Sequence, residues 1–216
     1  MKKALPLVFL VASCALCPKK WPKPIPPIYE THLLFLREDV QNNPKAKQAF
    51  LEAAWRWRAI GIKFIITTVP PNLPKVFPGF SSVVVAGLAR SADCQTTLEW
   101  SGEKTALGIG GRAPIELNKK IYYLGRAELC NYRLGEHCGL PKKECWISVA
   151  QHELGHAIGL FHHEDSIMRK TTLREYGYCS CFGFTVKDFP SLYKTLLQDR
   201  SRKYDTKNGY PTLPLQ

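Results

Sequence analysis

The stretch His152-Glu153-Leu154-Gly155-His156-Ala157-Ile158-Gly159-Leu160-Phe161-His162, followed by Ser166-Ile167-Met168, decides how the chain is read. Two histidines four apart on a helix stand one turn above the other on the same face, so one metal ion can take both imidazoles. Wound at about 100° per residue, His152, His156, Val149 and Glu153 share one sector. Ile147, Ala150, Leu154, Ala157 and Ile158 share the opposite one. The pattern predicts a helix with one chemical face and one core face. Gly159 ends it, because glycine accepts the left-handed conformation of a tight C-cap. The chain can then turn and bring His162 back as a third ligand; His163 adjoins it, and the spacing favours His162. Three protein ligands leave the fourth position of a zinc ion open to water, which is the catalytic rather than the structural arrangement. Glu153, beside the first ligand, can reach such a water as general base.

This pattern, H-E-x-x-H-x-x-G-x-x-H with a methionine soon after, resembles the metzincin clan of zinc endopeptidases. The short gap between His162 and Met168 is most similar to the matrixin branch. Lys170 stands where astacins and serralysins carry a tyrosine, so no tyrosine ligand is implied, and His163 stands where an archaemetzincin has a cysteine. The resemblance covers roughly residues 45–198, strongly at 152–168 and only architecturally elsewhere. It implies an α+β catalytic domain: a twisted mixed sheet with an edge strand over the cleft, an active-site helix and a C-terminal helix. It implies one catalytic zinc ion on His152, His156 and His162, with Glu153 moving the proton and Met168 as a floor residue rather than a ligand. The expected activity is hydrolysis of peptide bonds in an extended protein or peptide substrate. Structural calcium is common in matrixins, but no acidic loop here marks a calcium site, and calcium stays open. No cysteine-switch motif of the matrixin type is read in these residues, so that latency device is not expected. The alternative reading is a zinc-containing module that binds extended peptides without cleaving them. A disulfide-held lipoprotein with a fortuitous motif would bind no zinc.

The chain has 216 residues, enough for one domain and a leader with ample core, and carries a net charge of +12. Such basicity can favour anionic surfaces. No nucleic-acid motif accompanies it, so a solvated basic surface is expected and nucleic acid is not a partner. A monomer is expected. Eight cysteines point to disulfides in an oxidising, extracytoplasmic compartment. Cys130, Cys138 and Cys145 crowd residues 124–145, read as a cysteine-rich insert. Cys179 and Cys181 are too close to pair comfortably with each other and are expected to link to the insert or to Cys94. His137 is a weak candidate for a second metal.

Residues 1–17 read as a signal peptide: Lys2 and Lys3, then the short apolar run Ala4–Ala12. Val11-Ala12-Ser13-Cys14 also resembles a bacterial lipobox, so the mature protein is either secreted or tethered to the cell envelope through a lipid on Cys14. Residues 18–43 form a Pro/Lys-rich linker that includes a possible strand at Thr31–Leu36. The catalytic domain is expected at 44–200 and a loose tail at 201–216. Asn43-Pro44 reads as a helix N-cap and first position, with a helix over Ala46–Ile60 ended by Gly61. Strands are expected at Ile62–Val69 and Ser82–Ala86, with short possible ones at Thr97–Trp100 and Ala106–Ile109. Ile115–Tyr122 is expected as the last strand before the site helix, and a final helix as starting near Asp188.

Overall fold

Glu30–Leu36 (β1) lies inside the sheet of the computed structural model, with Leu34 and Leu36 buried. The structure describes residues 30–58, 61–95, 107–134, 142–160, 162, 167 and 168. After β1 come a short helix α1 (Glu38–Gln41), α2 (Pro44–Trp57) and β2 (Ile62–Thr67). A short helix α3 (Leu73–Val76) runs into a 3-10 turn (Phe77–Gly79), and β3 (Val83–Leu88) follows. Then come β4 (Gly108–Leu117), β5 (Lys120–Leu129), a short helix α4 (Asn131–Leu134) and α5 (Lys142–Ala157). The five strands form one sheet in the order β2-β1-β3-β5-β4. β1 pairs parallel with β2 and β3, and β3 pairs parallel with β5; only β4 runs antiparallel, to β5. The architecture is α+β with a mixed sheet.

Two expected boundaries are corrected. The linker over 18–43 claimed residues that belong to the folded unit, because β1 takes a partner on each side and α1 follows it. Its run Leu33-Leu34-Phe35-Leu36 has the continuous apolar character of a strand inside a sheet. The single strand expected over Ile115–Tyr122 is the tip of a hairpin, closed where Leu117 faces Lys120. Asn118 and Lys119 take φ of 54° and 62°, the two-residue turn whose twist suits a hairpin. The first part of the expected cysteine-rich insert is accordingly strand β5, with Ala127, Glu128 and Leu129 buried.

Other local readings match. Asn43 Oδ1 accepts from the Lys45 and Ala46 amides at 3.1 Å each, with Pro44 at the first helical position. Gly61, at φ 86°, follows the end of α2. Helices α2 and α5 share one core with the inner residues of β1, β2, β3 and β5. On the other sheet face Leu33, Phe77 and Val83 gather Ile115, Leu117 and Tyr122, and Phe77 stacks on Tyr122 at 4.9 Å.

Helix α5 departs from the expected two-faced pattern. It packs against α2, β4 and β5, and between Cys145 and Leu160 only His152 is not buried. From α2, the buried Trp57 donates its indole N–H to Gln151 O at 3.0 Å. From β5, Gly125 lets the backbones meet: a β-carbon there would run into the Ala157 carbonyl oxygen. Gly125→Ala should therefore destabilise the fold by about 1–3 kcal/mol, as overpacking does. A denaturant midpoint unchanged from wild type would refute this close approach.

At the C-terminal ends of β1, β3 and β5, the buried Glu128 accepts from Arg37 Nη1 at 2.7 Å and from Arg126. Arg37 also pairs with Asp39, whose Oδ2 accepts the Leu88 amide at 3.2 Å. Beside them Cys94 is bonded to Cys130 across a separation of 36 residues. Closing a loop of that length stabilises the fold by about 4 kcal/mol in the chain-entropy picture. Of the two expected targets for Cys179 and Cys181, the insert or Cys94, Cys94 is excluded because Cys130 holds it; Cys145, in the insert, is disulfide-bonded as well. Among the described residues no helix is long and apolar enough to cross a membrane. The leader with Cys14, the expected strand at 97–100, His137, His163, Cys138, Cys179, Cys181, the final helix near Asp188 and the tail lie outside the described residues.

Candidate metal centre

The last two turns of α5 carry His152, Glu153 and His156, and the chain reverses at Gly159, whose φ is +100°. The Gly159 amide donates to His156 O and the Leu160 amide to Gly155 O, both at 2.9 Å, which closes the helix end. This turn brings His162 back over the helix. His156 Nε2 then lies 3.0 Å from His152 Nε2 and 3.1 Å from His162 Nε2. His152 is half-buried, His156 buried and His162 exposed, so the cluster opens to solvent on the His162 side.

The outer nitrogens fix the tautomers. His152 Nδ1–H donates to Ile167 O at 2.7 Å, and His156 Nδ1–H to Leu160 O at 2.8 Å. A carbonyl can only accept, so the proton sits on Nδ1 and each Nε2 presents a lone pair. Such backbone carbonyls are the usual outer partners of ligating imidazoles. Lone pairs facing one another at 3.0 Å repel unless a cation draws them together. Metal–nitrogen bonds of about 2.0–2.1 Å would set tetrahedral neighbours about 3.3 Å apart, close to the spacing found. The residues present fit a metal ion, and the three histidines can hold one.

Burial pushes the His152 imidazole below its ordinary 6.5, opposed by its bond to Ile167. His156 is pushed well below 6.5 by burial first, then by His152 and His162, with the Leu160 bond opposing. Both stay neutral when folded, which is the ligating form. The direction of these shifts sets the sign for stability. About one unit or more above pH 6.5 the rings are almost wholly neutral in both the folded and the unfolded chain. Below it the unfolded chain takes up protons that the folded chain refuses, so the folded state loses stability as pH falls. For metal-free protein the urea midpoint should drop between about pH 7.5 and 5.5; a flat or rising midpoint would show that these imidazoles are not held neutral.

Met168 is buried under the helix, its sulfur against Gly155, where Trp57 also packs. The turn at 167–168 thus supports the centre twice, through the Ile167 carbonyl and the Met168 side chain. Glu153 is buried and faces β4. A β-carbon on Gly108 would stand 2.5 Å from Glu153 Oε1, and one on Gly110 would stand 2.6 Å from Oε2 and 2.7 Å from His156 Cβ. The two glycines make the space that the carboxylate fills. Sequence reading missed them; the signal available was glycine recurring inside a strand-like stretch, which marks close approach.

β4 is also the sheet edge. Cys130 N–H donates to Leu107 O at 2.9 Å, and Ile109 and Gly111 pair across in the same phase. Gly108, Gly110, Arg112 and Pro114 therefore turn their main-chain groups away from β5, to the side where no strand pairs among the described residues. Pro114, with no N–H, fits such an outward position. This outer strand runs past Glu153 and His156; it is β4, which holds only the first part of the expected strand 115–122.

No family model matches the chain, and no match is found among curated proteins. The chemistry of the centre therefore rests on its own geometry.

Proposed function

We propose that the protein is a zinc-dependent endopeptidase of metzincin type, closest to the matrixin branch, secreted or tethered to the cell envelope through Cys14. The observation that carries the reading is the convergence of three imidazole Nε2 atoms at the helix that also carries a buried carboxylate, beside the outermost described strand of the sheet. A zinc ion on His152, His156 and His162 would supply Lewis acidity, polarising the scissile carbonyl and acidifying a water. Glu153 takes the proton of the attacking water and passes it to the leaving amine. The main chain of Gly108, Gly110 and Arg112 pairs with an extended peptide as an added strand, and Pro114 ends the run of donors. Specificity from such pairing falls on shape and extension more than on most side chains.

The test is digestion of a reduced, carboxymethylated protein of known sequence, with zinc content measured and product termini read by mass spectrometry. Internal cleavage that chelation abolishes and zinc restores is expected. Cleavage indifferent to chelation would sink the reading. Stoichiometric zinc with peptide binding but no products would favour the binding module; no bound zinc would remove both.

A further inference from the structure

Arg112 is set apart from the other residues of β4 by where its side chain goes. Gly108, Gly110 and Arg112 share the row of β4 that faces α5. The two glycines give room to Glu153, whereas Arg112 reaches the end of the helix. Its Nη1 donates to Ile158 O at 3.4 Å. Its guanidinium carbon lies 4.2 Å over the Tyr123 ring of β5. The same group fills the space beside Gly159, where a β-carbon would collide with it. Gly159 is thus constrained twice, by its φ of +100° and by the guanidinium against it.

What this cation touches is the turn that completes the metal cluster. A carbonyl at a helix C-terminus carries partial negative charge, and a cation there is stabilising. The planar guanidinium satisfies that carbonyl while stacking on an aromatic face, which an ammonium does less well. Immediately beyond the turn lie Leu160, whose carbonyl orients His156, and His162, the third donor. The main chain of Arg112 meanwhile faces away from β5, on the outer side of β4. One residue therefore joins the edge strand to the segment that returns His162.

We propose that Arg112 is a positioning residue: by clamping the turn at Ile158 and Gly159 from β4, it holds His162 in register with His152 and His156. This rests on the metal-site reading above.

The experiment compares wild type, Arg112→Met, Arg112→Lys, Tyr123→Leu, His162→Ala and the double variant Arg112→Met/His162→Ala. Zinc affinity is measured by competition with a chromophoric chelator. Cobalt(II) replaces zinc as a visible-spectrum probe of coordination. Arg112→Met should weaken zinc about 10–100-fold, as loss of an outer partner does, and dim the intense cobalt bands that four-coordinate ions give. Arg112→Lys should recover part of the affinity. Tyr123→Leu, which removes the platform under the guanidinium, should shift both readouts in the same direction, and it decides the matter if Arg112→Met does not fold. Because Arg112 acts through His162, the double variant should bind zinc no more weakly than His162→Ala. Wild-type affinity and spectrum in a folded Arg112→Met, or additive losses in the double variant, would overturn the proposal. Failure of the wild type to bind zinc, or of His162→Ala to weaken it, would instead overturn the metal-site reading, and this inference with it.

Discussion

Glu153→Gln should keep the bound metal and slow peptide hydrolysis by about 10²–10⁴-fold, the range of a lost general acid–base. That is a barrier increase of about 3–5 kcal/mol. Glutamine fills the same space between α5 and the two glycines of β4, so the three imidazoles need not move. What it lacks is a site that can accept a proton from water and hand it on. Metal content should stay at the wild-type level, and KM should change less than kcat, since the carboxamide fills the same buried space against Gly108 and Gly110. The measurement is steady-state hydrolysis of a quenched fluorogenic peptide, with zinc quantified on the same samples. A variant with metal bound and a rate near wild type would remove Glu153 from the chemistry. A variant without metal would make it structural.

The sequence announced the centre better than the sheet around it. His152, His156 and His162 were legible because a helix repeats every 3.6 residues and a glycine can reverse it, and both facts are local. Asn43, Pro44 and Gly61 were legible for the same reason: caps satisfy groups within a few residues. The hairpin was not. Asn118-Lys119 is a weaker turn signal than Asn-Gly, and apolar residues continue on both sides of it, so one strand was expected where two meet. β1 was half legible. Its run of apolar residues suggested a strand, but the neighbouring prolines drew the domain boundary beyond it.

The helix pattern misled in an instructive way. Val149 and Glu153 shared a sector with the histidines and so read as facing a cleft, yet both are buried. Periodicity reports which residues share a side, not what covers it. Here α2 and the β4–β5 hairpin both cover α5, and the glycines that allow this lie far away in sequence. Arg112 was invisible for a related reason. A lone arginine in a strand reads as solvated surface, and only the sheet order brings it to the end of α5. The disulfide partners were likewise set by strand order: the ends of β3 and β5 are neighbours, which brings Cys94 to Cys130.

His156→Ala and His162→Ala should separate metal binding from stability. His156 meets both other imidazoles through Nε2 and holds Leu160 O through Nδ1, all in a buried position. Alanine removes the central donor, leaves that carbonyl without its imidazole and opens a cavity. Metal affinity should fall by more than the roughly 10–100-fold typical of an outer partner. The metal-free protein should also lose about 1–3 kcal/mol, the cost of a buried polar group left unsatisfied. His162 is exposed, so its loss should weaken the metal comparably while shifting metal-free stability by no more than about 0.5 kcal/mol. Chelator competition and urea unfolding of metal-free samples give the two quantities independently. Equal stability losses in both variants would mean that His162 is packed as a structural residue. Unchanged metal affinity in His156→Ala would mean that the three nitrogens converge without serving as a common site. Because α5 supplies the buried part of the centre and the segment after the Gly159 turn an exposed one, the effects must split, large in affinity for both variants and large in stability for His156→Ala alone.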